Sequence, residues 1–86
     1  MQYFVSKSFE KQFKKLPKKL KQKAIERLQL FVSDPMDYRL DNHPLTGECA
    51  GHRSIDVTGD MRAIYKKVDE RVARFVAIGS HSELYE

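Results

Sequence analysis

A single cysteine, Cys49, stands in 86 residues. It cannot form an internal disulfide, so stability must come from packing or from a partner, and a reducing cytoplasm is the expected home. No stretch approaches the roughly 20 apolar residues of a membrane span. The opening MQYFVSKSFEKQF lacks the long apolar run of a secretory signal. Neither an internal repeat nor a low-complexity segment divides the chain, so residues 1–86 are expected to form one domain. Spacing typical of a metal site is missing too. His43, His52 and His81 with Asp56 or Asp60 are the available ligands, and no close-spaced pair supports zinc. No metal or other cofactor is expected.

What is present is an adequate apolar fraction, 41%, and an excess of base, with a net charge of +4. The first argues for a packed core, near the small end of what folds alone. The second favours anionic partners. Lys7, Lys11, Lys14, Lys15, Lys18, Lys19, Lys21, Lys23 and Arg27 crowd the first third. Most suit solvated helix faces. As a cluster they also suit attraction to phosphate, with Lys14, Lys15 and Lys18 the candidates for RNA contact.

The period of the apolar residues changes once along the chain. QYFV is a short β-prone opening. Ser6 or Ser8 can then cap a helix whose Phe9, Phe13 and Leu16 share one face. Pro17 suits the first turn of a second helix. There Leu20, Ala24, Leu28 and Phe31 form a stripe that Ile25 and Val32 widen, until Asp34-Pro35 ends it. The segment DPMDYRLDNHPLTGECAG follows as a long loop. Beyond it HRSIDV, MRAIYKKV and RVARFVAI alternate as strands, joined by TGD and DE turns. An α+β fold is expected: a short strand and a helix hairpin packed on a twisted antiparallel sheet.

That meander predicts which residues meet. The third strand runs back beside the second, so its C-terminal end lies next to the start of the second. His81 and Tyr85, in the tail GSHSELYE, then approach Asp60 and Arg62, and the long loop has only to fold across the sheet to bring His43 in. Imidazoles, a carboxylate, a guanidinium and a phenol suit metal-free RNA cleavage. A base takes the proton of a ribose 2′-hydroxyl, an acid protonates the leaving oxygen, and arginine offsets the phosphoryl charge. Histidine titrates near neutrality and fits both proton roles. Each of these residues also has a plainer use: a loop histidine, a turn former, a surface ion-pair partner or a ring over the core. His52 and Arg53 read first as surface groups at a strand start. Arg53 is kept as a candidate for RNA contact, and His52 and Asp56 as accessory candidates.

The run from HPLTGECAG through GDMRAIY to GSHSELYE, with the N-terminal SFEKQFKKLPK, resembles the RelE/ParE toxin superfamily of bacterial type II toxin–antitoxin systems. It is most similar to the YafQ-like mRNA interferases. The order and spacing of these pieces carry the resemblance across nearly the whole chain. It implies an endoribonuclease that cuts mRNA, commonly on the ribosome, and a cognate antitoxin, with operator DNA reached only through that antitoxin. By position, His43 matches the loop histidine of the YafQ branch, Asp60 its turn carboxylate and His81 its tail histidine. Tyr85 takes the place of the terminal aromatic, and Arg62 that of a phosphate-binding arginine of the RelE branch. Asp56 departs from the pattern, standing where the YafQ branch has a histidine. The resemblance leaves two other outcomes open: a non-enzymatic ParE-like gyrase inhibitor, or a catalytically weak homologue that binds antitoxin.

Overall fold

A computed structural model describes the backbone of residues 1–85; the side chain of Tyr85 and all of Glu86 lie outside the described part. The chain opens with β1 (Gln2–Val5). Ser6 stops the strand and starts α1 (Lys7–Lys14), its Oγ accepting from Phe9 N–H at 3.1 Å. Pro17 precedes α2 (Lys18–Ser33). The segment expected as a loop carries two 3-10 turns, Tyr38–Leu40 and Gly47–Cys49, and between them a two-residue strand, β2 (His43–Pro44). β3 (Arg53–Asp56), β4 (Met61–Lys67) and β5 (Val72–Ser80) form the expected meander, with no helix between Arg53 and Ile78. A short helix, α3 (His81–Tyr85), closes the described chain.

The strands form one sheet in the order β1-β5-β4-β3-β2. β2, β3, β4 and β5 pair antiparallel, but β1 joins β5 in parallel, so the sheet is mixed. The α1–α2 hairpin and the loop after it lie between β1 and the meander, which frees β1 to run alongside β5. Pro44, with no N–H to donate, sits in the edge strand β2, where proline is tolerated. Beyond the end of β1, side chains occupy the exposed edge of β5. Gln12 Oε1 accepts from Ile78 N–H at 3.0 Å, and Ser6 Oγ donates to the Val76 carbonyl at 3.2 Å.

One sheet face buries the core. Phe75 lies at its centre, with ring centroids 5.2 Å from Phe31, 5.1 Å from Tyr65 and 6.0 Å from Phe9. Such aromatic pairs contribute ~0.5–1.5 kcal/mol each beyond area burial. Phe9, Ala24, Leu28 and Phe31 bring the helix stripes, and Ile55, Val57, Ala63 and Ile78 the strand alternation. Ile25 and Val32 do not widen the α2 stripe as expected. They remain 47% and 41% exposed, and the residues that α2 buries are Ala24, Leu28 and Phe31.

Candidate active site

The opposite sheet face carries the candidate residues. Ile55, Ala63 and Ile78 point into the core, so strand alternation turns their neighbours outward. Pairing aligns Asp56 with Arg62 and Arg62 with Gly79. In the next row His43 pairs with Ser54, Ser54 with Ile64 and Ile64 with Ala77. Over these rows His43, Leu45, Arg62 and His81 line one open cleft of about 250 Å³. The histidines lie 38 residues apart in sequence, one in the mid-chain loop strand and one in the tail.

His43 is held by its own loop. Its Nδ1 lies 2.7 Å from the Asp41 carbonyl. A carbonyl can only accept, so Nδ1 carries the hydrogen in this contact and the neutral ring keeps its lone pair at Nε2. The Asp41 carboxylate stands 3.9 Å from the same nitrogen. Asp41 itself takes a left-handed backbone, φ +44°, a conformation that Asp tolerates better than most residues. Beside it, Asn42 ties the loop to the sheet. Its amide donates to the Pro35 carbonyl and the Tyr65 hydroxyl at 2.8 Å, and its oxygen accepts from Arg53 Nε at 2.8 Å. Arg53 thus braces the loop on the core side of β3 rather than lining the cleft.

Arg62 is fixed on two sides. Nη1 donates to the carbonyls of Thr58 and Gly59 at 3.1 Å and of Met61 at 3.3 Å. Nε stands 2.9 Å from Asp56 Oδ1. That buried oxygen has the ionic contact but no hydrogen bond. Burial pushes the Asp56 carboxyl above its usual range, and the Arg62 guanidinium opposes the shift. Among the described residues Nη2 makes no hydrogen bond, and Nε has only the ionic contact.

The tail is placed by a capping box. Ser80 Oγ accepts from Glu83 N–H at 3.2 Å, and Glu83 Oε1 accepts from Ser80 N–H at 2.9 Å. His81 N–H donates to the Asp60 carbonyl at 2.9 Å. The tail does not leave the sheet at Gly79. Instead β5 continues through Ser80, because Gly79 and Ser80 pair with Arg62 and Met61. Ser80 is the helix cap. α3 folds back over Gly79, where a Cβ would lie 3.4 Å from Glu83 Oε1 and 3.5 Å from Leu84 Cδ2.

Asp60 meets His81 through its backbone. Its exposed carboxylate makes no ion pair among the described residues, so the carboxylate beside Arg62 is that of Asp56. His52 faces a separate depression with Pro44, Gly51, Arg53 and Lys67. Lys14, Lys15 and Lys18 are exposed around the α1–α2 junction and do not line the cleft. Gln12, one turn before, contacts Ile78, so this end of α1 lies at the tail end of β5. The Tyr85 side chain lies outside the described residues. The sequence reading missed Asp41, Asn42, Leu45 and the cap. Only the cap had a signal, the S-x-x-E spacing of Ser80 and Glu83.

A family model described as the bacterial toxin YafQ of type II toxin–antitoxin systems matches residues 1–86. The chain belongs to the YafQ toxin family. YafQ from E. coli strain BL21(DE3) is 26% identical, covering 99% of this chain and 98% of that one, with a TM-score of 0.82. YafQ in the E. coli DinJ–YafQ toxin–antitoxin complex superposes with a TM-score of 0.77 at 26% identity, covering 99% of this chain and 97% of that one. A YoeB/ParE toxin from Agrobacterium tumefaciens, 16% identical, shares the fold with a TM-score of 0.76 over 94% of this chain and 99% of that one. No curated protein matches this YafQ-family sequence. Among the described residues no helix is long and apolar enough to cross a membrane.

Proposed function

We propose that this toxin is a metal-independent endoribonuclease that cleaves mRNA in the cytoplasm, on the ribosome, and is silenced by a cognate antitoxin. The single observation that supports this most is the convergence of His43, Arg62 and His81 on one cleft. In the reaction, His43 Nε2 takes the proton of the 2′-hydroxyl. The freed oxygen attacks the adjacent phosphorus in line, and the bond to the 5′-oxygen breaks. His81 gives that oxygen its proton, leaving a 2′,3′-cyclic phosphate and a 5′-hydroxyl. Arg62, fixed by Asp56 and the turn carbonyls, presents Nη2 to the phosphoryl oxygens as charge builds on them. Asp60 positions His81 through its carbonyl, and Tyr85 stacks on a base or orients the imidazole. DNA lacks the attacking hydroxyl and should not be cut.

The antitoxin follows from family membership and from the DinJ–YafQ complex among the structural neighbours. The test is incubation of the purified toxin with mRNA, with and without ribosomes, plus a chelator arm in which the ribosomes are kept intact. Cleavage that survives EDTA, with cyclic phosphate ends, is expected. Loss in chelator that a divalent ion restores, or cleavage of a strand carrying a single 2′-deoxy residue at the cut site, would refute the mechanism.

A further inference from the structure

The outward sheet face does not end at the cleft. Four residues along β4 from Arg62, about 13 Å at strand rise, comes Lys66, paired with Arg74 on β5, which is paired in turn with Phe4 on β1. Alternation sets all three on the outward face. Tyr3 and Val5, either side of Phe4, line the helix-side groove with Phe9 and Leu28, and Tyr65 and Phe75 are core. Phe4 is 47% exposed. Lys66 and Arg74 are exposed, and neither has an ion-pair partner among the described residues. Like charges directly opposite across a strand pair destabilise a sheet. Two cations kept face to face, with no carboxylate beside them and a bare aromatic ring next in the row, suit a partner that carries both phosphates and bases. Ile64 and Ala77 lie between this row and the cleft and place no carboxylate in the way.

We infer that the row Lys66–Arg74–Phe4 is a binding track for single-stranded RNA flanking the scissile phosphate, with Phe4 stacking a base and Lys66 and Arg74 holding the backbone. It extends the ribonuclease cleft described above and depends on it for its direction. Stacking on one aromatic contributes ~1–3 kcal/mol, or about 5- to 150-fold in affinity.

The test separates binding from cleavage by using a short fluorescent 2′-O-methyl oligoribonucleotide, which cannot be cut by 2′-hydroxyl attack. Anisotropy is measured for wild type, Phe4→Ala, Phe4→Tyr and a Lys66→Ala/Arg74→Ala double variant. Phe4→Ala should weaken binding about 5- to 150-fold and Phe4→Tyr should restore it. The double variant should flatten the salt dependence by about 1.4, for two single-strand phosphate contacts. If wild type binds this probe with that pattern but leaves the unmodified RNA uncut, the track stands and the ribonuclease assignment fails. The track is overturned if folded Phe4→Ala and the double variant bind within about twofold of wild type, or if wild type does not bind the probe. It is equally overturned if these variants lose purified antitoxin while keeping RNA, which would make the face a protein interface.

Discussion

Arg62 Nε stands 2.9 Å from Asp56 Oδ1, across the hairpin that joins β3 to β4. The pair sits directly under the cleft, and Arg62 is further held by three turn carbonyls. Lysine carries the same charge but cannot span these contacts with one flat group. Arg62→Ala should lower the rate of RNA cleavage by ~10²–10³, the size of a lost charge-stabilising donor, and Arg62→Lys should recover only a small part. Full activity in Arg62→Lys would mean that the fork geometry is not used.

Asp56 also makes a pH-dependent contribution. Its carboxyl is raised in the folded protein, mainly by burial, so the native state holds the proton to higher pH than the unfolded chain does. The associated stability is present at low pH and falls as pH rises above the usual value of 3.8. Asp56→Asn does not titrate. Thermal melts across the acid range should therefore show the variant gaining on wild type as pH rises. A difference that moves the other way would contradict the buried, charge-opposed carboxylate.

The tail depends on its cap. Backbone and hydroxyl hydrogen bonds from Ser80 hold the Glu83 carboxyl below its usual value of 4.5. The cap contributes at pH above that value and is lost as pH falls through the lowered one. Ser80→Ala should cost ~0.5–2 kcal/mol of local helix stability and slow cleavage by misplacing His81, with little change in the core. Amide exchange confined to residues 80–85 would report it. Unchanged exchange there would mean that the box does not hold α3.

Asn42 braces the loop that presents His43. Its loss strands Arg53 and the Tyr65 hydroxyl, so Asn42→Ala should cost ~1–3 kcal/mol. At ~4–8 °C per kcal/mol for a domain of this size, a clear drop in Tm is expected, together with weaker catalysis. A variant that melts like wild type would show that the loop is pinned elsewhere.

Periodicity carried much of this fold. The i, i+4 spacing of Phe9 and Phe13 and the alternation in MRAIY and RVARFV mark elements that bury one face each, and the meander alone brings the tail to Arg62. What stayed hidden depends on long-range partners. The parallel pairing of β1 with β5 has no local signature, nor does the polar brace of Asn42, which joins residues 35, 42, 53 and 65. The turn before β4 marks Asp60, which the resemblance sets at the turn carboxylate of the YafQ branch. Strand alternation puts Asp56 beside the guanidinium instead, since the two are paired across β3 and β4. The helical tail was readable in the S-x-x-E spacing of Ser80 and Glu83.

The most direct measurement is the cleavage rate of RNA by His81→Ala. The imidazole is exposed at the first position of α3, so the variant should fold and bind antitoxin as wild type does. Loss of the acid that protonates the 5′-oxygen should slow cleavage by ~10²–10⁴. A folded His81→Ala toxin that keeps more than about a tenth of wild-type activity would show that this imidazole does not supply the proton.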